Sequence, residues 1–228
     1  MSNLEQQYKC VVARIRAAEA DAGRQTGDVS LLAVSKTKPL SMVEGVYQLG
    51  QRDFGENYLQ DAMEKIAACE HDDIRWHFIG QIQSNKTRPI AEHFDWVHSV
   101  DRAKIARRLA EQRPADKAPL QVCIQINVND EASKGGVDSV ADVLALAAAV
   151  AEHPNLTLRG VMAIPEHSDD IATQRRNFAE VSAIFNAVKL QFPSCDTLSM
   201  GMSGDLEAAV HEGATMVRIG TDIFGARQ

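Results

Sequence analysis

The sequence contains no run of about 18 consecutive apolar residues, so no helix is expected to span a membrane. The segment from Met1 to Gln7 is polar and carries no apolar signal core, so a cytoplasmic location is expected. Only four cysteines occur in 228 residues, and Cys10, Cys69, Cys123 and Cys195 form no CxxC pair. That spacing argues against a zinc site and against a disulfide framework. No Gly/Ser-rich linker marks a domain boundary. Neither a GxGxxG fingerprint nor a GxxxxGKS/T loop is present, which removes the commonest signatures of dinucleotide and triphosphate binding. The net charge of −7 disfavours nonspecific binding to nucleic acid.

What is present is a strict alternation of helix-like and strand-like periodicity. An amphipathic helix is predicted over 4–22, with Leu4, Tyr8, Val11, Val12 and Ile15 on one face and Gly23 as its stop. Eight strands are predicted near 29–35, 52–55, 74–79, 96–98, 120–128, 156–163, 197–200 and 215–219. Helices fall between them near 41–50, 58–69, 84–93, 102–113, 138–152, 169–191 and 203–212. Ser41 with Glu44 reads as a capping box, Asp138 as a helix cap, and Ser203 as the start of the last helix. Strands separated by helices pair in parallel through right-handed crossovers, and eight such units close into a (β/α)8 TIM barrel. An open doubly wound sheet is the alternative. Residues 1–228 are therefore expected to form one domain. Too little chain follows strand 8 for a full helix, and the helix within 1–23 is expected to fill that gap in the outer ring.

In such barrels chemistry sits at the C-terminal ends of the strands. Strand 1 ends at Lys36, followed by Thr37-Lys38-Pro39. Two readings of Lys36 stand at this point: a solvated charge ending a strand, or a nucleophilic amine placed to join a carbonyl compound. Strand 7 ends in Ser199-Met-Gly-Met-Ser203, and strand 8 in Arg218-Ile-Gly220-Thr221. The loops after strands 7 and 8 often build a phosphate site in these barrels. Ser199, Ser203 and Thr221 offer hydroxyls, Gly220 permits close backbone approach, and a helix opening at Ser203 would favour an anion. The plainer reading of Ser203 is a simple helix cap. Alternation places Arg218 on the face opposite Val217 and Ile219, where it needs an acceptor. An amine, a phosphate cradle and a cation between them suit a phosphorylated aromatic aldehyde. Pyridoxal 5′-phosphate is such a molecule.

Several segments together resemble the pyridoxal phosphate homeostasis protein family, single-domain relatives of alanine racemase. They are Ala33-Val-Ser-Lys36, Phe54-Gly-Glu-Asn-Tyr58, Trp76 to Lys86, Ser133-Lys-Gly135, Gly160 to Pro165, Leu198 to Ser203 and Met216 to Gly225. Minor departures are Ile82, where leucine is common, and Gly204. The resemblance implies that Lys36 holds the cofactor as a Schiff base and that Arg218 faces the pyridine nitrogen. It also implies that Ser199, Ser203, Gly220 and Thr221 belong to the phosphate site and that Asn57 lies near the cofactor. Lys134 matches a family lysine, although a solvated loop charge is the expectation for it.

An arginine stays protonated and tends to leave the facing ring nitrogen unprotonated, which weakens the ring as an electron sink. Racemisation by two bases needs a group on each face. In the racemases that second group is a tyrosine from an additional β-domain, for which no sequence remains after strand 8. Tyr58 is the one tyrosine near the mouth and is expected to be a packing residue. The expectation is a non-enzymatic protein that stores or delivers pyridoxal phosphate, possible recipients being apo-enzymes that use it. Neither nucleic acid nor membrane is an expected partner, and a monomer is favoured over a dimer. A weak amino-acid racemase is the alternative, and a Schiff-base aldolase acting on a sugar phosphate the third reading.

Overall fold

The computed structural model describes residues 2–128 and 135–226. Ser133 and Lys134, singled out above, lie outside them. The chain runs α1 (Asn3–Asp21), β1 (Ser30–Val34), α2 (Leu40–Tyr47), β2 (Asp53–Glu56), α3 (Leu59–Ala68), β3 (Arg75–Phe78), a 3-10 turn (Ser84–Lys86), α4 (Thr87–His93), β4 (Trp96–Val100) and α5 (Ala103–Gln112). It continues through β5 (Leu120–Ile126), α6 (Val140–Ala151), β6 (Leu156–Ala163), α7 (Ile171–Gln191), β7 (Thr197–Ser199), α8 (Leu206–His211), β8 (Met216–Ile219) and α9 (Thr221–Phe224). The strands close in sequence order into a parallel barrel, with Leu32 opposite Arg218 where β1 meets β8.

Strand alternation separates two cores, because successive side chains point to opposite faces. Leu31 and Ala33 of β1, Trp76 and Phe78 of β3, Leu198 of β7, and Val217 and Ile219 of β8 join the large apolar layer beneath the helices. Trp96, Cys123 and Met162 form a small separate cluster. The residues that alternate with the outer set are unusually polar. His77, His98, Ser199 and Arg218 are all buried, at 0%, 0%, 0% and 5% exposure. Branched aliphatic residues ordinarily fill a barrel of this kind.

Helix α1 packs on α8, α9 and α2 and closes the outer ring where the chain after β8 supplies only the single turn α9. Val11, Ile15 and Ala18 supply its apolar face. Its Arg14 ion-pairs with Glu207 and Asp222 and donates to the Ser203 carbonyl at 3.1 Å. A buried carboxylate, Glu19, accepts from the Val29 amide at 2.7 Å and so holds the entry to β1.

Three caps differ from the sequence expectation. Helix α2 already begins at Leu40, with Pro39 at the N-cap, which puts Ser41 inside the helix and leaves no capping box. Ser139, one residue beyond Asp138, caps α6 and accepts from the Asp142 amide at 3.1 Å. The last helix before β8 begins at Leu206, not at Ser203, because Asp205 takes the N-cap position and accepts from the Met202 amide. Ser203 therefore lies in a turn, and the helix-terminus argument for an anion there does not hold.

Candidate functional site

Beyond the strand ends, a cavity of about 310 Å³ opens at the C-terminal side of the barrel. Lys36, Asn57, Ser203, Arg218, Gly220 and Thr221 all line it. Ser199 does not: it is fully buried below, with its oxygen 2.9 Å from an Arg218 nitrogen. Thr37, Lys38, Ile79, Ile164, Met202 and Gly204 also face the cavity and were not singled out as site residues from sequence. Lys38 had a visible signal, a second lysine in the same turn.

The chain leaves β1 in a tightly held turn. The Ser35 amide donates to Gly55, and the Lys38 amide returns to the Ser35 carbonyl at 3.0 Å. Between them Thr37 adopts φ +63°, a left-handed conformation that a β-branched residue rarely takes. Its amide donates to Asp61 of α3 at 3.1 Å. Beneath the turn, Ser35 Oγ and Lys65 Nζ both donate to Glu56 Oε1 at 2.6 Å. Lys65 also donates to the Ser35 carbonyl at 2.9 Å. Burial pushes the Glu56 carboxyl up, and Lys65 opposes that. The residue that presents Lys36 is thus fixed from below by a buried ion pair.

Asn57 follows β2, and β3 ends against it. A Cβ on Gly80 would fall 2.1 Å from the Asn57 carbonyl oxygen, so only glycine allows this approach. On the opposite side, Gly201 turns the chain at φ +92°, where a Cβ would lie 2.5 Å from that of Ala209. The Arg218 amide donates to the Gly201 carbonyl, which joins this turn to β8.

Arg218 forms the floor. Its Nη1 donates to the Ser199 carbonyl at 2.7 Å and to Ser199 Oγ at 2.9 Å, and its Nη2 donates to the Ala163 carbonyl at 2.8 Å. Burial lowers its pKa to about 10, which leaves it protonated at neutral pH. The charged groups lining the cavity are Lys36, Lys38 and Arg218. No carboxylate, histidine or tyrosine lines it among the described residues. Lys38 Nζ donates to the Ala226 carbonyl at 2.8 Å. Tyr8 and Tyr47 are engaged elsewhere, with Gln51 and Asp73, and Tyr58 is exposed outside the cavity lining. A site with three cations and hydroxyl-bearing turns suits a phosphorylated anion.

Residues 11–228 match the family of the alanine racemase N-terminal domain. A relative from Pseudomonas aeruginosa, named pyridoxal phosphate homeostasis protein, is 57% identical over 227 residues, which are 100% of this chain and 97% of the relative. The chain belongs to the pyridoxal phosphate homeostasis protein family. A family member of that name from Escherichia coli is 51% identical over 94% of this chain and 92% of its own length. PipY of Synechococcus elongatus, solved with pyridoxal phosphate bound, superposes with a TM-score of 0.80 at 35% identity. The match covers 92% of this chain and 100% of PipY. Alanine racemase from Corynebacterium glutamicum shares the fold, with a TM-score of 0.73 at 16% identity over 96% of this chain and 62% of the racemase. The family resemblance and the barrel read from the sequence are thus both borne out.

Proposed function

We propose that this chain binds pyridoxal 5′-phosphate reversibly at Lys36 and serves to store it and hand it on. The observation that carries this reading is the lining of one cavity by Lys36, Arg218, Ser203, Gly220 and Thr221. The residues fit the cofactor on chemical grounds. The cofactor supplies an aldehyde that condenses reversibly with a primary amine. Lys36 brings that amine at the end of β1. Ser203, Gly220 and Thr221 offer hydroxyl and backbone donors for a phosphate. Arg218 stays charged on the floor, where it donates to a ring nitrogen without giving up a proton.

Storage is favoured over turnover by what faces Lys36. Proton abstraction from a bound amino acid needs a second positioned base. The lining includes none of the usual carboxylate, histidine or tyrosine groups among the described residues. The cytoplasm as its location, a monomeric state, and apo-enzymes as recipients of the cofactor belong to the same reading. Lys38, a second amine in the same cavity, is the one observation that favours a weak racemase instead.

The test is spectroscopic. Addition of pyridoxal phosphate should turn the purified protein yellow, and borohydride followed by peptide mass analysis should place the fixed adduct on Lys36. A protein that stays colourless with the cofactor would sink both readings and favour the aldolase. Loss of circular dichroism from a pure L-amino acid, dependent on Lys36, would replace storage with racemisation.

A further inference from the structure

The barrel interior holds a second organised feature beneath the cavity. His98 Nδ1 lies 3.1 Å from Ser199 Oγ, and His98 Nε2 lies 2.9 Å from His77 Nδ1. His77 Nε2 lies 3.0 Å from Asp53 Oδ1. Asp53 in turn accepts two bonds from Arg75, both at 2.6 Å. Strands β4 and β7 are not neighbours in the barrel, so the His98–Ser199 contact crosses the lumen. Asp53 and Arg75 lie on an open cleft at the N-terminal end of the strands, lined also by Trp96 and Thr197. The contacts therefore run from the barrel's far end to Arg218.

We propose that Asp53, His77, His98 and Ser199 form one directional hydrogen-bond chain that fixes the orientation of Arg218 for the cofactor. His77 and His98 are thereby positioning residues. The proposal rests on the cofactor reading above for what Arg218 faces.

The direction follows from the two ends. An ionised Asp53 carboxylate only accepts, so His77 must carry its proton on Nε2. With both rings neutral, His77 Nδ1 then accepts, and His98 must donate to it from Nε2. His98 Nδ1 is left as an acceptor, and it takes the Ser199 hydroxyl proton. The Ser199 oxygen then offers only lone pairs to Arg218, and an Arg218 N–H is drawn to it. Every member is satisfied in this order. The reverse order would set a lone pair of His77 against the carboxylate. Burial keeps both imidazoles neutral, and for His98 the neighbouring Arg218 adds to that. Hydrogen bonds aligned in one sense polarise each other in a buried, low-dielectric interior, which strengthens the last acceptor facing the guanidinium. His77 also stacks on Trp96 with ring centres 5.1 Å apart, which holds the ring plane.

Two measurements test it. In the protein without cofactor, proton–nitrogen spectra of the histidine rings, assigned with His77 and His98 variants, should show both rings neutral and protonated on Nε2. A proton on Nδ1 of either ring, or a charged ring at neutral pH, would overturn the chain. Separately, His98→Leu should weaken retention of pyridoxal phosphate about tenfold, the effect of one hydrogen bond to a charged group. It should also shift the visible band of the bound form. Combined with Arg218→Lys, it should add little further loss, whereas independent, additive losses would reduce His98 to a packing residue. Ser199→Ala carries the same expectation and removes a single oxygen, should His98→Leu not fold. If the unaltered protein takes up no pyridoxal phosphate, the cofactor reading fails, and the ring spectra still decide the chain.

Discussion

One nitrogen of Arg218 binds both the carbonyl and the hydroxyl of Ser199, at 2.7 and 2.9 Å, while the same guanidinium forms the floor of the cavity. Ser199 is thus the support of the cation rather than part of the wall. Arg218→Ala leaves Ser199 and Ala163 without their buried donor. Stability should fall by about 1–3 kcal/mol in urea unfolding, the size of a buried polar group left unpaired. Retention of pyridoxal phosphate should fall at least about tenfold. Unchanged cofactor affinity in a folded variant would refute the floor contact.

Acid should destabilise the fold from about pH 6.5 downward. His77 and His98 are held neutral by burial, so their pKa values in the folded protein lie below the ordinary 6.5. The unfolded chain takes up protons first as the pH falls, so stability rises with pH through this window and is lost below it. Asp53 and Asp95 oppose the shift at His77, while Arg75 adds to it. At His98 its neighbour His77 and Arg218 lower the value, and Asp53 raises it. The limiting slope is about 1.4 kcal/mol per pH unit for each ring. A urea midpoint that stays flat from pH 7 to pH 5 would contradict the neutral rings.

A second acid limb belongs to Asp53. Burial works against its charge, but the hydrogen bonds from Arg75 and His77 outweigh burial and hold the carboxyl below its ordinary 3.8. Its contribution is present above that value and is lost as the pH falls below it. Asp53→Asn should flatten the stability profile below about pH 4 relative to the unaltered protein. An unaltered acid limb would show that the pair with Arg75 adds nothing.

Gly80→Ala should be far costlier than an ordinary strand substitution. The added methyl would sit 2.1 Å from the Asn57 carbonyl oxygen, and backbone must move to admit it. A loss of about 1–3 kcal/mol is expected, as for overpacked sites. Because Asn57 lines the cavity, cofactor affinity should fall with it. A variant of normal stability would mean that β2 and β3 separate easily there.

Thr37→Gly tests the turn that presents Lys36. A left-handed conformation costs a side-chain-bearing residue roughly 1–2 kcal/mol, and glycine gives back about half of that as extra freedom in the unfolded chain. Stability should stay level or rise by up to about 1 kcal/mol. A clear loss in thermal unfolding would show that the threonine side chain itself holds the turn.

The barrel and most of its elements were legible because they depend on local periods. β6 was predicted over 156–163 and is found as Leu156–Ala163. The inward face of Arg218 was readable from Val217 and Ile219 alone. His77 carried the same signal, since it alternates with the outward apolar Trp76 and Phe78. What was missing was depth: a strand expected over 96–98 puts His98 at its end, yet His98 sits in mid-strand within Trp96–Val100. The caps expected at Ser41, Asp138 and Ser203 fall one or two residues away, at Pro39, Ser139 and Asp205, because neighbouring residues could take each position and tertiary packing chose between them.

By itself, the sequence determined the number and order of strands, the face each residue takes, and a lysine and an arginine at strand ends that meet. Period-two alternation is a property of the single strand, so no neighbour is needed to read it. Only the tertiary structure decided how deep each inward side chain lies, because depth depends on the stagger between paired strands around the closed barrel. That stagger put Ser203 in the cavity wall and Ser199 beneath the floor. It also brought His77, His98 and Asp53 into line under Arg218, across strands that are distant in sequence.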